Sequence, residues 1–111
     1  MENRQMTAAA ATPSIIALPA EIDAINSSSV AADLADACVP GTSVLVADLS
    51  STTFADSSAL RVLVRTDQFA ASMGIEFRLV VTSAAVLRAL ELTGLRDVLR
   101  LYSSLDDAVG G

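Results

Sequence analysis

The chain has 111 residues, of which 52% are hydrophobic and 4% aromatic, and its formal net charge is −6. This length predicts one domain with a modest core of aliphatic side chains. The sequence contains neither His nor Lys, which excludes Ser-His-Asp and Cys-His nucleophiles, histidine metal sites, Walker-type phosphate loops and lysine Schiff bases.

Strand and helix signals alternate after an Ala- and Thr-rich segment, residues 1–12, which we expect to be a mobile tail. The alternation predicts one α/β domain over residues 13–111, with a mixed, mostly parallel sheet of about four strands and helices packed on one face. The predicted strands are 14–20, 43–49, 76–81 and 98–102, and the predicted helices are 26–41, 57–72, 83–94 and 105–109.

Compartment and partner class follow from the cysteine count, the apolar stretches and the charge pattern. Cys38 is the single cysteine, so no internal disulfide is expected, and a small buried hydrophobe is its predicted role. The apolar stretch 7–21 is interrupted by Pro13 and is shorter than the roughly 20 apolar residues that span a bilayer. We therefore expect a cytoplasmic protein without a membrane partner. The arginines are scattered among acidic residues, which argues against a nucleic-acid partner.

An acid and two hydroxyls stand in front of the second predicted helix, in the stretch FADSSALRVLV at 54–64. Asp56, Ser57 and Ser58 are residue types that cap a helix, and an exposed serine at a helix start also suits a serine kinase. Apolar residues occupy most of the helix circumference, which predicts a largely buried helix with one polar stripe. That stripe consists of Ser58, Arg61, Arg65, Gln68 and Ser72.

The start of this helix is suited to an added phosphate. In a parallel α/β arrangement, the loop from strand to helix lies at the carboxyl edge of the sheet, where ligands and partners bind such folds. The positive end of the helix dipole would stabilise a phosphate there, and Arg61 follows Ser57 by about one helical turn. We therefore expect the fold to tolerate phosphoserine at position 57.

Four short segments in this order resemble the STAS domain family and, within it, the bacterial anti-sigma factor antagonists. They are AEID at 20–23, VLVADL at 44–49, FADSSAL at 54–60 and TGL at 93–95. The resemblance implies a STAS-like single domain, and we expect no catalytic residue, cofactor or metal ion. Ala20 and Ala59 stand where the family usually has Gly.

The resemblance also implies a phosphorylation switch at Ser57. The expected kinase is an anti-sigma factor with GHKL-type serine kinase activity, which the unphosphorylated protein binds so that a sigma factor is released. A phosphoserine phosphatase would reverse the modification. Asp56 and Arg61 would support the phosphosite, and Ser58 is the alternative acceptor, although a second helix cap is its favoured role. The expected partner-binding residues are Asp23, Asp48, Ser58, Ala59, Arg61 and Arg65.

A second function stays open at this point. The same domain would serve as a non-switching scaffold in a stressosome-like or transporter-associated complex, since a fold does not fix a function. A serine at position 57, rather than Ala or Val, favours the switch.

Overall fold

Six strands and four α-helices follow one another in residues 13–110, the part of the chain that the computed structural model describes. The segment predicted to be a tail, residues 1–12, lies outside this range. Within the described residues 13–110, no helix is both long and apolar enough to cross a membrane. In chain order the elements are β1 (Pro13–Ala17), β2 (Glu21–Ile22), α1 (Ser27–Asp36), β3 (Val44–Leu49), β4 (Phe54–Ala55), α2 (Ser57–Ser72), β5 (Glu76–Val81), α3 (Ala84–Leu92), a 3-10 turn (Leu95–Asp97), β6 (Arg100–Tyr102) and α4 (Leu105–Gly110).

The main sheet contains four strands in the spatial order β1-β3-β5-β6. Neighbouring strands pair in parallel throughout residues 13–110. The predicted α/β class and the sheet of about four mostly parallel strands are therefore confirmed. β1 ends at Ala17, earlier than predicted, because Pro19 has no N–H with which to continue a ladder.

The central strands β3 and β5 are buried on both faces, as their continuous apolar runs predict. Leu45, Ala47 and Leu49 are 0% exposed beneath the helices. Val46 points to the opposite face, since side chains alternate along a strand, and it is also fully buried. This packed centre fixes the loops that leave the carboxyl ends of the strands.

Three helices, α1, α2 and α3, pack on one face of the sheet and share the larger core cluster. In α1 the buried residues are Val30 and Leu34. The helix ends at Asp36, whereas the sequence predicted an end at Pro40 and Gly41.

The short helix α4 packs on the opposite face, where no helix was predicted. Ala108 is fully buried there with Val46 and Val80. The first turn is held by Ser104 Oγ, which accepts a hydrogen bond from Asp107 N at 3.1 Å. The prediction of helices on one face is therefore right for α1 to α3 and wrong for α4, because the second face of β3 and β5 is also apolar and needs cover.

Cys38 is buried in the main core, as predicted. The residue is 7% exposed, and its Sγ donates a hydrogen bond to Leu34 O at 3.6 Å. Burial raises the pKa of the thiol, and the thiolate is the reactive form. We therefore expect iodoacetamide to modify the native protein far more slowly than the urea-unfolded protein, measured by mass spectrometry. Equal rates in the two states would contradict this burial.

Candidate functional site

A two-stranded pair brings two loops together beyond the carboxyl ends of β1 and β3. β2 pairs with β4 in parallel, with Ile22 opposite Ala55, and Asp56 N donates a hydrogen bond to Ile22 O at 3.2 Å. Asp23 and Asp56, which follow these strands directly, therefore lie side by side. The pair was missed in the sequence because two residues per strand give no periodic signal.

Asp56 caps α2, as its position predicts. Its Oδ1 accepts hydrogen bonds from Ser58 N at 2.9 Å and from Ala59 N at 3.1 Å. The backbone of Asp56 is extended, which is usual for a capping residue. The prediction that Ser58 is a second cap is wrong, because the Asp56 carboxylate already accepts from the amides at the start of the helix.

The two serines face different sides of α2. Ser57 is exposed and borders a cavity of about 320 Å³ between α2 and the 3-10 turn. Ser58 is half-buried and lines a groove of about 340 Å³ between α1 and α2. Arg61 borders both the cavity and the groove. Of the two serines, Ser57 is the more exposed.

Asp23 and Asn26 build the loop between β2 and α1. Asp23 N donates to Asn26 Oδ1 at 2.9 Å, and Asp23 Oδ1 accepts from Ile25 N at 2.9 Å. The loop leaves the Ile25 side chain 92% exposed, and Phe54, opposite Glu21 in the β2–β4 pair, is 51% exposed. Both apolar residues were missed as surface features, because sequence patterns assign large apolar residues to the core.

Two of the predicted partner-binding residues do not face the surface around Ser57. Ala59 is 1% exposed and belongs to the main core, because it lies on the face of α2 that packs on the sheet. Its prediction as a direct partner contact is therefore wrong. The Asp48 side chain points to the same face of β3 as Val46, which is the α4 face. Its Oδ1 accepts a hydrogen bond from Ser50 N at 3.0 Å, so it shapes the loop after β3.

The outer face of α2 carries the rest of the predicted polar stripe. Arg61, Arg65, Gln68 and Ser72 are all exposed, and Phe69 is 46% exposed among them. Within residues 13–110, neither of the two arginines forms an ion pair. The helix is less buried than predicted. Its buried residues are Ala59, Leu60, Leu63, Thr66 and Ala70.

The edge around the start of α2 combines the exposed Ser57, the carboxylates of Asp23 and Asp56, the exposed Arg61 and Arg65, and the exposed apolar side chains of Ile25 and Phe54. Among the residues that the structure describes, no group of three or more His, Cys, Asp or Glu side chains is placed to hold a metal ion.

The family is decided by comparison with known proteins. The model of the STAS domain matches residues 5–108. The chain belongs to the STAS domain family. The match includes all four segments that carried the resemblance in the sequence, and the STAS family is therefore confirmed.

Relatives of this STAS domain include proteins named as regulators of anti-sigma factors. It is 28% identical over 97 residues to the anti-sigma-F factor antagonist RsfB of Mycobacterium tuberculosis, and the alignment covers 87% of this chain and 79% of that protein. The crystal structure of an anti-sigma factor antagonist from Mycobacterium paratuberculosis matches with a TM-score of 0.80 and 28% identity, covering 88% of this chain and 83% of that one. A sulfate transporter family protein from Wolinella succinogenes matches with a TM-score of 0.71 and 18% identity, covering 88% and 82%. That last likeness shows the fold alone.

Removal of the Asp56 carboxylate is expected to lower the free energy of unfolding. Asp56→Ala deletes the acceptor of two hydrogen bonds at the start of α2, and loss of such a cap costs about 0.5–2 kcal/mol. Urea denaturation followed by circular dichroism measures the change. Asp33→Ala is the matched control, since Asp33 is exposed in the interior of α1. Equal stability of Asp56→Ala and the wild type would contradict the capping role.

Proposed function

We propose that this STAS protein is an anti-sigma factor antagonist controlled by phosphorylation of Ser57. In the unphosphorylated form it binds an anti-sigma factor that is also a serine kinase, and a sigma factor is thereby released. The observation that carries the proposal is the exposed Ser57 hydroxyl at the capped start of α2. The names of the two mycobacterial relatives support the same function. On this proposal the chain acts in the cytoplasm by binding alone, and a phosphoserine phosphatase restores the binding form.

The start of α2 accommodates a phosphate without loss of its own hydrogen bonds. Asp56, and not Ser57, accepts from the first amides of the helix, so modification of Ser57 Oγ breaks no capping bond. The helix dipole attracts negative charge at this end. The negative charge of the Asp56 carboxylate repels the phosphate. The positive charge of Arg61, about one helical turn along, compensates for this repulsion. The modification therefore changes the surface and leaves the scaffold intact.

The surface that the partner covers surrounds Ser57. Asp23 lies beside Asp56 through the β2–β4 pair, and it contributes a carboxylate to this surface. Ile25 and Phe54 contribute exposed apolar side chains on the same two strands and the adjoining loop. Exposed apolar groups surrounded by polar ones are typical of protein interaction sites. Ser57 begins α2 directly after Asp56 at the end of the β2–β4 pair, so on this proposal a phosphate on Ser57 enters the interface itself.

Ser57→Ala is expected to abolish phosphorylation and to leave kinase binding intact. The substitution removes the acceptor oxygen, while the Asp56 cap keeps α2 in place. The assay incubates wild type, Ser57→Ala and Ser58→Ala with ATP and each anti-sigma kinase encoded by the source genome. Mass spectrometry of the peptides that contain positions 57 and 58 identifies the modified residue, and calorimetry measures binding.

The pattern across the three proteins separates the possible outcomes. Phosphate on wild type and Ser58→Ala, with none on Ser57→Ala, supports the proposal. Phosphate retained by Ser57→Ala and lost from Ser58→Ala would move the acceptor to Ser58. If no anti-sigma kinase binds the wild type, the switch is wrong, and the non-switching scaffold is the function to test next.

A further inference from the structure

A groove between α1 and α2 lies next to the phosphosite and extends away from it along both helices. Its volume is about 340 Å³. Its apolar lining includes Ala31 and Ala35 on α1 and Val62 and Phe69 on α2, and its polar lining includes Ser27, Ser28, Ser58 and Thr66. A groove lined by both apolar and polar side chains suits an amphipathic partner helix, which presents both kinds.

The charged side chains of the groove are both positive, although the chain as a whole carries −6. They are Arg61 and Arg65, and neither forms an ion pair within residues 13–110. The acids of α1, Asp33 and Asp36, are exposed and do not line the groove. Among residues 13–110, the groove therefore combines two arginines that form no ion pair with apolar side chains, on a protein whose net charge is −6.

We propose that this groove binds an acidic amphipathic helix of the anti-sigma factor. Arg61 and Arg65 are four positions apart on α2, so their side chains lie about 6 Å apart at Cβ along one face. Two carboxylates one turn apart on a partner helix match that spacing, and an apolar side chain between them packs beside Phe69. This inference rests on the proposed function, and it adds a second contact region and its chemistry.

Arg65 provides the cleaner test of the two arginines. Arg61 borders the groove and also the cavity beside Ser57, whereas Arg65 lines the groove alone. A change at Arg61 therefore alters the phosphosite and the groove together. A change at Arg65 alters the groove and leaves the surroundings of Ser57 as they are.

The experiment compares Arg65→Glu with Arg88→Glu in binding to the anti-sigma kinase that binds the wild type. Arg88 is an exposed arginine on α3 that lines neither the groove nor the cavity. We expect Arg65→Glu to weaken binding about tenfold or more, because it places like charges together in the interface. Arg88→Glu is expected to bind as the wild type does. Raising the salt concentration is expected to weaken wild-type binding more than binding of Arg65→Glu.

A photoreactive residue in place of Ser28, which is exposed and lines the groove, identifies the occupant directly. We expect it to crosslink a peptide of the anti-sigma factor with two acidic residues one helical turn apart. Unchanged affinity of Arg65→Glu, or a crosslink only to a basic segment or to a second copy of this chain, would overturn the inference. If the groove inference fails but the wild type binds the kinase in the same assay, the proposed function is still supported. If the wild type binds none of the kinases, both the proposed function and the groove inference are wrong.

Discussion

Phosphorylation of Ser57 is expected to weaken binding to the anti-sigma kinase by about 10⁴-fold, the differential that converts a complex from nearly all bound to nearly all free. The phosphate adds about −1.5 to −2 charges at pH 7, on a surface that faces the partner in the complex. Surface electrostatics alone supply less than this differential, so steric exclusion by the phosphate must supply the remainder. Ser57→Asp carries a smaller group with a single charge, and we expect it to weaken binding only in part.

Calorimetry on the unmodified, phosphorylated and Ser57→Asp proteins measures this series. Ser103→Asp is the matched control, since Ser103 is exposed and lines neither the groove nor the cavity beside Ser57. Circular dichroism is expected to show the same fold for all four proteins, because the Asp56 cap is retained in each. Equal affinity of the unmodified and phosphorylated proteins would be incompatible with the switch.

The main sheet and its helices were predictable because each long element carries a strong local signal. β3 and β5 are continuous apolar runs, which is the pattern of strands covered on both faces. The pair β2–β4 carries no such signal, and it exists because the loops after β1 and β3 are held together by contacts distant in sequence. One of these is the hydrogen bond from Thr52 Oγ1 to Pro19 O at 2.8 Å. That pair sets Asp23 beside Asp56, so the layout of the candidate site needed tertiary structure.

Individual site residues also differ in whether local sequence or tertiary structure determines their environment. Asp56 was predictable as a cap because capping is a local property of the residue type and its position. Ala59 sits next to the cap in sequence, and only the packing of α2 on the sheet shows that it is buried. Ile25 is 92% exposed although its residue type favours the core. Exposure of an apolar side chain on a loop depends on what covers the loop, which sequence periodicity does not encode.

Arg78 is the clearest feature that the sequence did not reveal. It lies in β5 between buried apolar residues, and it is itself 8% exposed. Its Nη1 donates a hydrogen bond to Ala108 O at 2.7 Å, and its Nε donates to Glu76 Oε2 at 2.7 Å. Its guanidinium carbon also lies 5.7 Å from the centre of the Tyr102 ring. The side chain thus joins α4 to the second face of the sheet.

Arg78→Ala is expected to lower the free energy of unfolding by about 2–3 kcal/mol, a large fraction of the usual 5–15 kcal/mol for a domain. The substitution leaves Ala108 O without its donor. It also removes the apolar stem of Arg78, which lies opposite Val46 in the sheet, and long basic side chains contribute packing as well as charge. Glu76 is half-buried, so hydration of its carboxylate compensates for much of the lost interaction with Arg78.

Two further variants separate packing from hydrogen bonding at this position. Arg78→Met keeps an unbranched stem over the sheet, and we expect it to lose about half as much stability as Arg78→Ala, because apolar replacement of a buried charge removes its desolvation cost together with its bonds. Arg100→Ala is the control, since Arg100 is the register partner of Arg78 on β6 and its side chain is 54% exposed. Urea denaturation gives the three free energies, and amide exchange in α4 is expected to rise first in Arg78→Ala. Unchanged exchange at Ala108 in that variant would show that α4 is held by its apolar contacts alone.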